Sequence, residues 1–182
     1  MAKKRTDEEL KQTCNFIRYE ILMLHHSMFR MADQDTHIDF DRNAYIESYA
    51  IHVRNLVEFL NHAPEKKYIR ALDYLDDRNI SEWNAFILPY KPTFNKILHK
   101  AGIQIAHISQ DRVIYMGNKK GWDFEYCNVI DKCLLKWAPL VPKSRIDEGL
   151  IKVIKHFQHI SPSLLKKILS GVYKELLKQS FL

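Results

Sequence analysis

The stretch Asn43–His62, NAYIESYAIHVRNLVEFLNH, limits the fold more than any other part of the chain. Ile46, Tyr49, Val53, Leu56 and Leu60 recur at steps of three and four. A second stripe, Tyr45, Tyr49, His52, Leu56 and Phe59, runs beside it. At about 3.6 residues per turn the two merge into an apolar arc covering roughly half of a helix. An arc that wide needs two or more neighbours, as in a bundle. Glu47, Arg54, Asn55, Glu58 and Asn61 fall on the other side, where Arg54 and Glu58 are spaced i,i+4 for an ion pair. His52 falls at the edge of the arc. It reads as a core-edge histidine bonded to a backbone carbonyl or a tyrosine hydroxyl, with a catalytic or ligand role as the alternative.

The remaining sequence extends this helical pattern. Glycine (5) and proline (6) are scarce, which favours long helices over a many-stranded sheet with tight turns. Thr6 followed by Asp7, Glu8 and Glu9 starts a helix that runs to about Met31. Its apolar positions include Leu10, Phe16, Ile17, Ile21, Leu24, Met28 and Met31. The acidic, aperiodic segment Asp33–Arg42 reads as a loop. Lys67–Asp76 reads as a short helix with Tyr68, Leu72 and Leu75 inward. Ser81 reads as the cap of a further short helix with Trp83, Phe86 and Ile87 apolar. Thr93–Ile108 and Trp122–Trp137 have helical spacing, and Val113–Met116 suits an extended segment. Ser144 with Asp147 suggests a cap for a helix over Arg145–His156. Ser161-Pro162 opens a last helix. The expectation is an all-α fold: a helical bundle of four or more principal helices, with additional short and C-terminal helices. It forms a single domain over 1–182, with a basic helical extension over 143–182 as the one candidate boundary.

Charge and cysteines narrow the function. The net charge is +6, and residues 143–182 carry eight Lys or Arg against three acids, an excess of five. Such a surface attracts phosphate, and is equally what a solvated lysine-rich face looks like. Cys14, Cys127 and Cys133 make an odd count with no C-x-x-C, which suits a reducing compartment. Cys14 and Cys133 read as core, and Cys127 has no histidine near it in sequence. No signal segment or membrane-length apolar run is present, so a cytoplasmic protein with no membrane partner is expected.

Nine histidines invite acid–base and metal readings. The adjacent pair His25-His26 diverges around a helix. His156 and His159 lack a carboxylate at helical spacing. There is no H-E-x-x-H or Glu-x-x-His, so no metal site and no cofactor is expected. Nucleotide-binding glycine loops and G-x-S-x-G are also missing. Lys100 and His107, two turns apart on one face with Lys96 and His99 beside them, form the most reactive pattern. A cation holding a phosphate while a histidine moves a proton suffices for cleavage of RNA by its own 2′-hydroxyl. A solvated lysine–histidine face is the alternative.

Glu47, Ser48, His52, Arg54, Asn55, Leu56, Phe59 and Leu60, followed by His107 and Arg112, resemble a group of bacterial proteins. These share a helix reading ESF-x-x-HARNLIDFL and a later INK-x-x-AHL-x-x-R. The likeness covers Arg18–Val113, about half the chain. More distantly the chain is similar to HEPN domains, helical bundles that are usually dimeric and often metal-independent ribonucleases. Their motif is arginine, four to six residues, then histidine. Here Lys100 stands in place of that arginine, while Arg18…His25 and Arg30…His37 match it formally. The resemblance implies RNA binding and metal-free cleavage. On the helical spacing and the placement of charge, His107, Lys100, His52 and Arg54 are the candidate catalytic residues, and Lys96, His99, Arg112, Lys166 and Lys167 the candidate RNA contacts. The rival expectation is a non-catalytic helical module that pairs with itself, as a homodimer, or with a partner protein.

Overall fold

The computed structural model describes residues 5–32, 39–61, 68–103, 122 and 124–157. His107, Arg112, Lys166, Lys167, His37, His159 and the segment Val113–Met116 lie outside them. The described chain is an all-α bundle. Its helices are α1 (Asp7–Ala32), α2 (Asp39–Leu60), α3 (Asp77–Ile87), α4 (Lys91–Ala101), α5 (Glu125–Trp137) and α6 (Glu148–His156). Short 3-10 turns occupy Ala71–Tyr74, Leu88–Tyr90 and Ala138–Leu140. Among the described residues there is no strand, and no helix is long and apolar enough to cross a membrane.

α1 begins as its sequence requires. Glu9 N–H donates to Thr6 Oγ1 at 3.2 Å, and Thr6 N–H donates to Glu9 Oε2 at 2.7 Å, a reciprocal capping box. Leu10, Cys14, Ile17, Ile21, Leu24 and Met28 then form its buried stripe. Phe16, one of the apolar positions of this helix, projects into solvent at 71% exposure. It lies about 100° around the helix from Ile17, on the rim of a groove shared with α2.

α2 lies antiparallel along α1: Ser27 pairs with Ser48 at 2.7 Å, and further along Glu20 pairs with His52 at 2.7 Å. The helix starts at Asp39, so the acidic loop inferred over Asp33–Arg42 ends earlier than its composition suggested. Acidic residues are compatible with a helix's first turn, where the dipole favours them. Tyr49, Ala50, Val53, Leu56, Val57, Phe59 and Leu60 are all buried. The wide arc is satisfied by α1 on one side and by α4 and α5 on the other.

Several local readings shift by a few residues. The short helix over Lys67–Asp76 is a single 3-10 turn that buries Ala71 and Tyr74, with Tyr68 exposed and Leu75 buried. α3 starts at Asp77, so Ser81 lies inside it and is exposed rather than capping. α4 begins at Lys91, with a proline in its first turn. α5 begins at Glu125, although Trp122 before it is buried as expected. α6 begins at Glu148, capped by Asp147, whose Oδ1 accepts from Leu150 N–H at 2.7 Å. Ser144 donates to Asp7 Oδ2 at 2.6 Å instead.

The centre is an aromatic trio. Phe59, Tyr74 and Trp137 meet edge to face, with centroids 5.1 to 6.1 Å apart. This is the arrangement the ring quadrupole favours. The polar ends are satisfied: Trp137 Nε1 donates to Ala71 O at 3.0 Å and Tyr74 Oη to Leu10 O at 3.0 Å. Arg145 closes the N-terminal end by reaching Asp7 (2.7 Å), Asp76 (3.0 Å) and the carbonyl of Tyr74 (3.1 Å).

Candidate functional site

The α1–α2 seam gathers the polar residues of the central helix. His52 Nδ1 lies 2.7 Å from Glu20 Oε2, and Asn55 Nδ2 donates to the same oxygen at 3.1 Å. His52 is buried, and Tyr19 meets its ring edge-on at 5.7 Å. The partner expected for His52, a carbonyl or tyrosine hydroxyl, is therefore a carboxylate. Nothing in the spacing of either helix reveals Glu20, because it lies 32 residues away in sequence. Arg54 is half-exposed and pairs with Glu58 at 2.8 Å, as their i,i+4 spacing requires. His52 and Arg54 thus sit on different sides of α2 and do not converge.

Beside this pair runs a groove of about 300 Å³. Phe16, Leu56, Phe59, Tyr68 and Ile69 supply apolar walls, while Glu20, Asn55 and Glu58 supply its polar groups. Phe16, Tyr68 and, one turn along α1, Tyr19 leave aromatic surface in solvent.

α4 separates its basic residues. Lys96 and His99 are exposed, but Lys100 is buried at 8%. Its ammonium lies 4.7 Å from the centre of the Trp122 ring and 6.0 Å from that of Tyr126. This corrects the reading of Lys100 as part of a polar solvent face. Phe94, Ile97 and Ala101 define the buried direction of α4, and Lys100 lies on its flank. Its stem packs along that flank and its charge meets ring faces, the arrangement that burial of a lysine allows. Trp122 is 22 residues beyond Lys100, so helical periodicity alone gave no sign of this lid.

The formal arginine–histidine match on α1 also separates. Arg18 Nη2 donates to Asn15 Oδ1 at 2.6 Å, and its guanidinium lies where a side chain on Gly149 of α6 would be. His25 faces α5, where Nε2 lies 3.1 Å from Asp131 Oδ1 and the Cys127 sulfur is 3.6 Å from Nδ1. Both residues thus have polar partners, but different ones. His26 diverges from His25 as adjacent helical residues must, and approaches Tyr45 at 6.2 Å. Desolvation, helped by the Arg30 charge, lowers the His26 pKa below the usual histidine value. Burial raises the thiols of Cys14, Cys127 and Cys133, the last pushed up to about 12. A thiol so raised is a poor nucleophile.

Three groupings therefore stand among the described residues: the His52–Glu20 pair beside an aromatic-walled groove, the exposed Lys96–His99 face of α4, and the His25–Cys127–Asp131 cluster. No family model, curated protein or solved structure matches the chain.

Proposed function

We propose that this chain is an RNA-binding helical domain of the HEPN kind. The observation that carries the reading is the placement of basic charge. Lys96 and His99 are exposed side by side on α4, on a chain whose excess positive charge of +6 is concentrated beyond residue 143. A phosphate backbone is the ligand such charge attracts, with counterion release making the affinity salt-dependent. Lys100 has no part in this contact, because its ammonium sits under Trp122. Within the same reading, cleavage is metal-free, with His107 moving the proton and Arg112 among the phosphate contacts.

Fluorescence anisotropy with a labelled single-stranded RNA tests binding. Affinity is expected to fall steeply between low and moderate salt. It should drop for Lys96→Glu and stay near the parent value for Lys100→Met, whose methionine keeps the packing against Trp122. Absence of binding at low salt overturns the reading. For cleavage, His107→Ala should abolish turnover while leaving affinity and the helical spectrum intact, and parent turnover should survive chelation. Equal cleavage by parent and His107→Ala removes His107 from the chemistry.

The α1–α2 groove favours the second reading, a protein-interaction module. Phe16 (71% exposed) and Tyr68 (43%) line it, and Tyr19 (54%) stands one turn along α1. Its charged lining is Glu20 and Glu58, which repel phosphate and suit a helix with an apolar ridge flanked by Lys or Arg. Loss of a partner's binding in Phe16→Asp, with RNA affinity unchanged, would place the partner in this groove.

A further inference from the structure

The buried cluster between α1 and α5 offers a donor set that the sequence motifs do not contain. His25 projects from α1, while Cys127 and Asp131 stand at i,i+4 on α5, so one turn presents both toward the imidazole. One ligand atom from each residue lies within 4.8 Å of the other two. His25 and Cys127 are each 1% exposed, and Asp131 is half-buried. The ring of Phe157 stacks on His25 at 3.6 Å and 4°, which fixes the plane of the imidazole and shields it from water.

We propose that His25, Cys127 and Asp131 bind one zinc-class divalent cation, with a water completing four-coordination, and that the ion clasps α1 to α5. A thiolate, an imidazole and a carboxylate together form a set zinc accepts, and the thiolate discriminates against magnesium and calcium. Distances agree with the size of such a site. Zinc–ligand bonds of about 2.0–2.3 Å set tetrahedral edges of roughly 3.3–3.6 Å between ligand atoms. The close approaches here are 3.1 Å from Nε2 to Asp131 Oδ1, 3.7 Å from Nε2 to Sγ and, to the other carboxylate oxygen, 3.8 Å from Sγ to Asp131 Oδ2, so a small turn of the carboxylate brings one oxygen to both partners. The sulfur stands nearly equidistant from the two ring nitrogens, at 3.6 and 3.7 Å, so an ion seated about 2.0 Å out on the Nε2 lone pair lies beyond the zinc–sulfur bond length of about 2.3 Å from it. Entry of the ion therefore turns Cys127 about its Cα–Cβ bond. Binding also places the ring proton on Nδ1 and releases the thiol proton to solvent. One neutral thiol becomes one metal-bound thiolate, with one proton released per ion.

The test uses the full chain and cobalt(II) as a spectroscopic substitute for zinc. One equivalent of cobalt should give the thiolate-to-cobalt charge-transfer band in the near ultraviolet, together with the intense visible bands of a tetrahedral ion. Zinc should displace it. Cys127→Ser should lose the charge-transfer band, whereas Cys133→Ser, which alters a thiol outside the cluster, should keep it. Asp131→Asn should weaken zinc binding by roughly 10–100-fold. Zinc should also raise the thermal midpoint of the parent and leave that of Cys127→Ser unchanged. Absence of the charge-transfer band in the parent, or its retention in Cys127→Ser, overturns the proposal. In either case His25 is a core histidine held by Asp131, Cys127 and the stacked ring of Phe157.

Discussion

Glu20 on α1 and His52 on α2 meet at 2.7 Å across the antiparallel helix pair, and the same carboxylate oxygen accepts from Asn55. Two side chains of α2, one buried and one exposed, thus depend on a single α1 residue. Glu20→Ala leaves the buried imidazole without its partner. It is expected to lower stability by about 1–3 kcal/mol, measured by urea denaturation. Combining it with His52→Ala should cost less than the sum of the two single changes. Strict additivity would show that the pair carries no coupling.

Leu56 faces the junction of α2 with its neighbours and is 1% exposed. Leu56→Ala opens a cavity there and is expected to cost about 2–5 kcal/mol. A loss below about 1 kcal/mol would contradict the buried placement of this helix.

Arg145 reaches two carboxylates and a carbonyl with one guanidinium. The hydrogen bond from Arg145 to Asp7, the largest influence on it, raises its pKa further above the usual arginine value. Lysine retains the charge but lacks the planar fork that serves several acceptors at once. Arg145→Lys should therefore lose about 1–2 kcal/mol, most of what Arg145→Ala loses. Full stability in the lysine variant would mean that charge alone holds this end of the bundle together.

The three buried thiols give the pH dependence its sign. Burial holds Cys133 protonated up to about 12, whereas an unfolded thiol ionises near about 8.5. Between these values the unfolded chain binds fewer protons than the folded one, so stability falls as pH rises. The urea midpoint should decline from pH 8 toward pH 10, and Cys133→Ala should flatten that decline. In native protein at pH 8, alkylation of Cys14, Cys127 and Cys133 should be far slower than in urea. Fast labelling of all three would contradict their burial.

Periodicity was enough for the all-α class, for the width of the α2 core arc, and for most of what each helix buries. Leu10, Ile17, Ile21 and Leu24 on α1, or Ile130, Cys133 and Trp137 on α5, are set by spacing, because burial of a helix face is a local, repeating property. Capping was legible where both partners lie within three residues, as at Thr6 and Glu9. It misled where a serine stood near the true start, as Ser144 did beside Asp147.

The sequence could not supply the partners of individual polar side chains. Lys100 stands beside Lys96 and His99 in sequence, and only the arrival of Trp122 and Tyr126 over α4 turns it from a surface cation into a buried one. Cys127 has no histidine within reach along the chain, yet α1 sets His25 against it from 102 residues away. Helical spacing reports the direction of a side chain on its own cylinder. The group that meets it depends on how two cylinders are rotated and offset against each other, which tertiary packing alone decides.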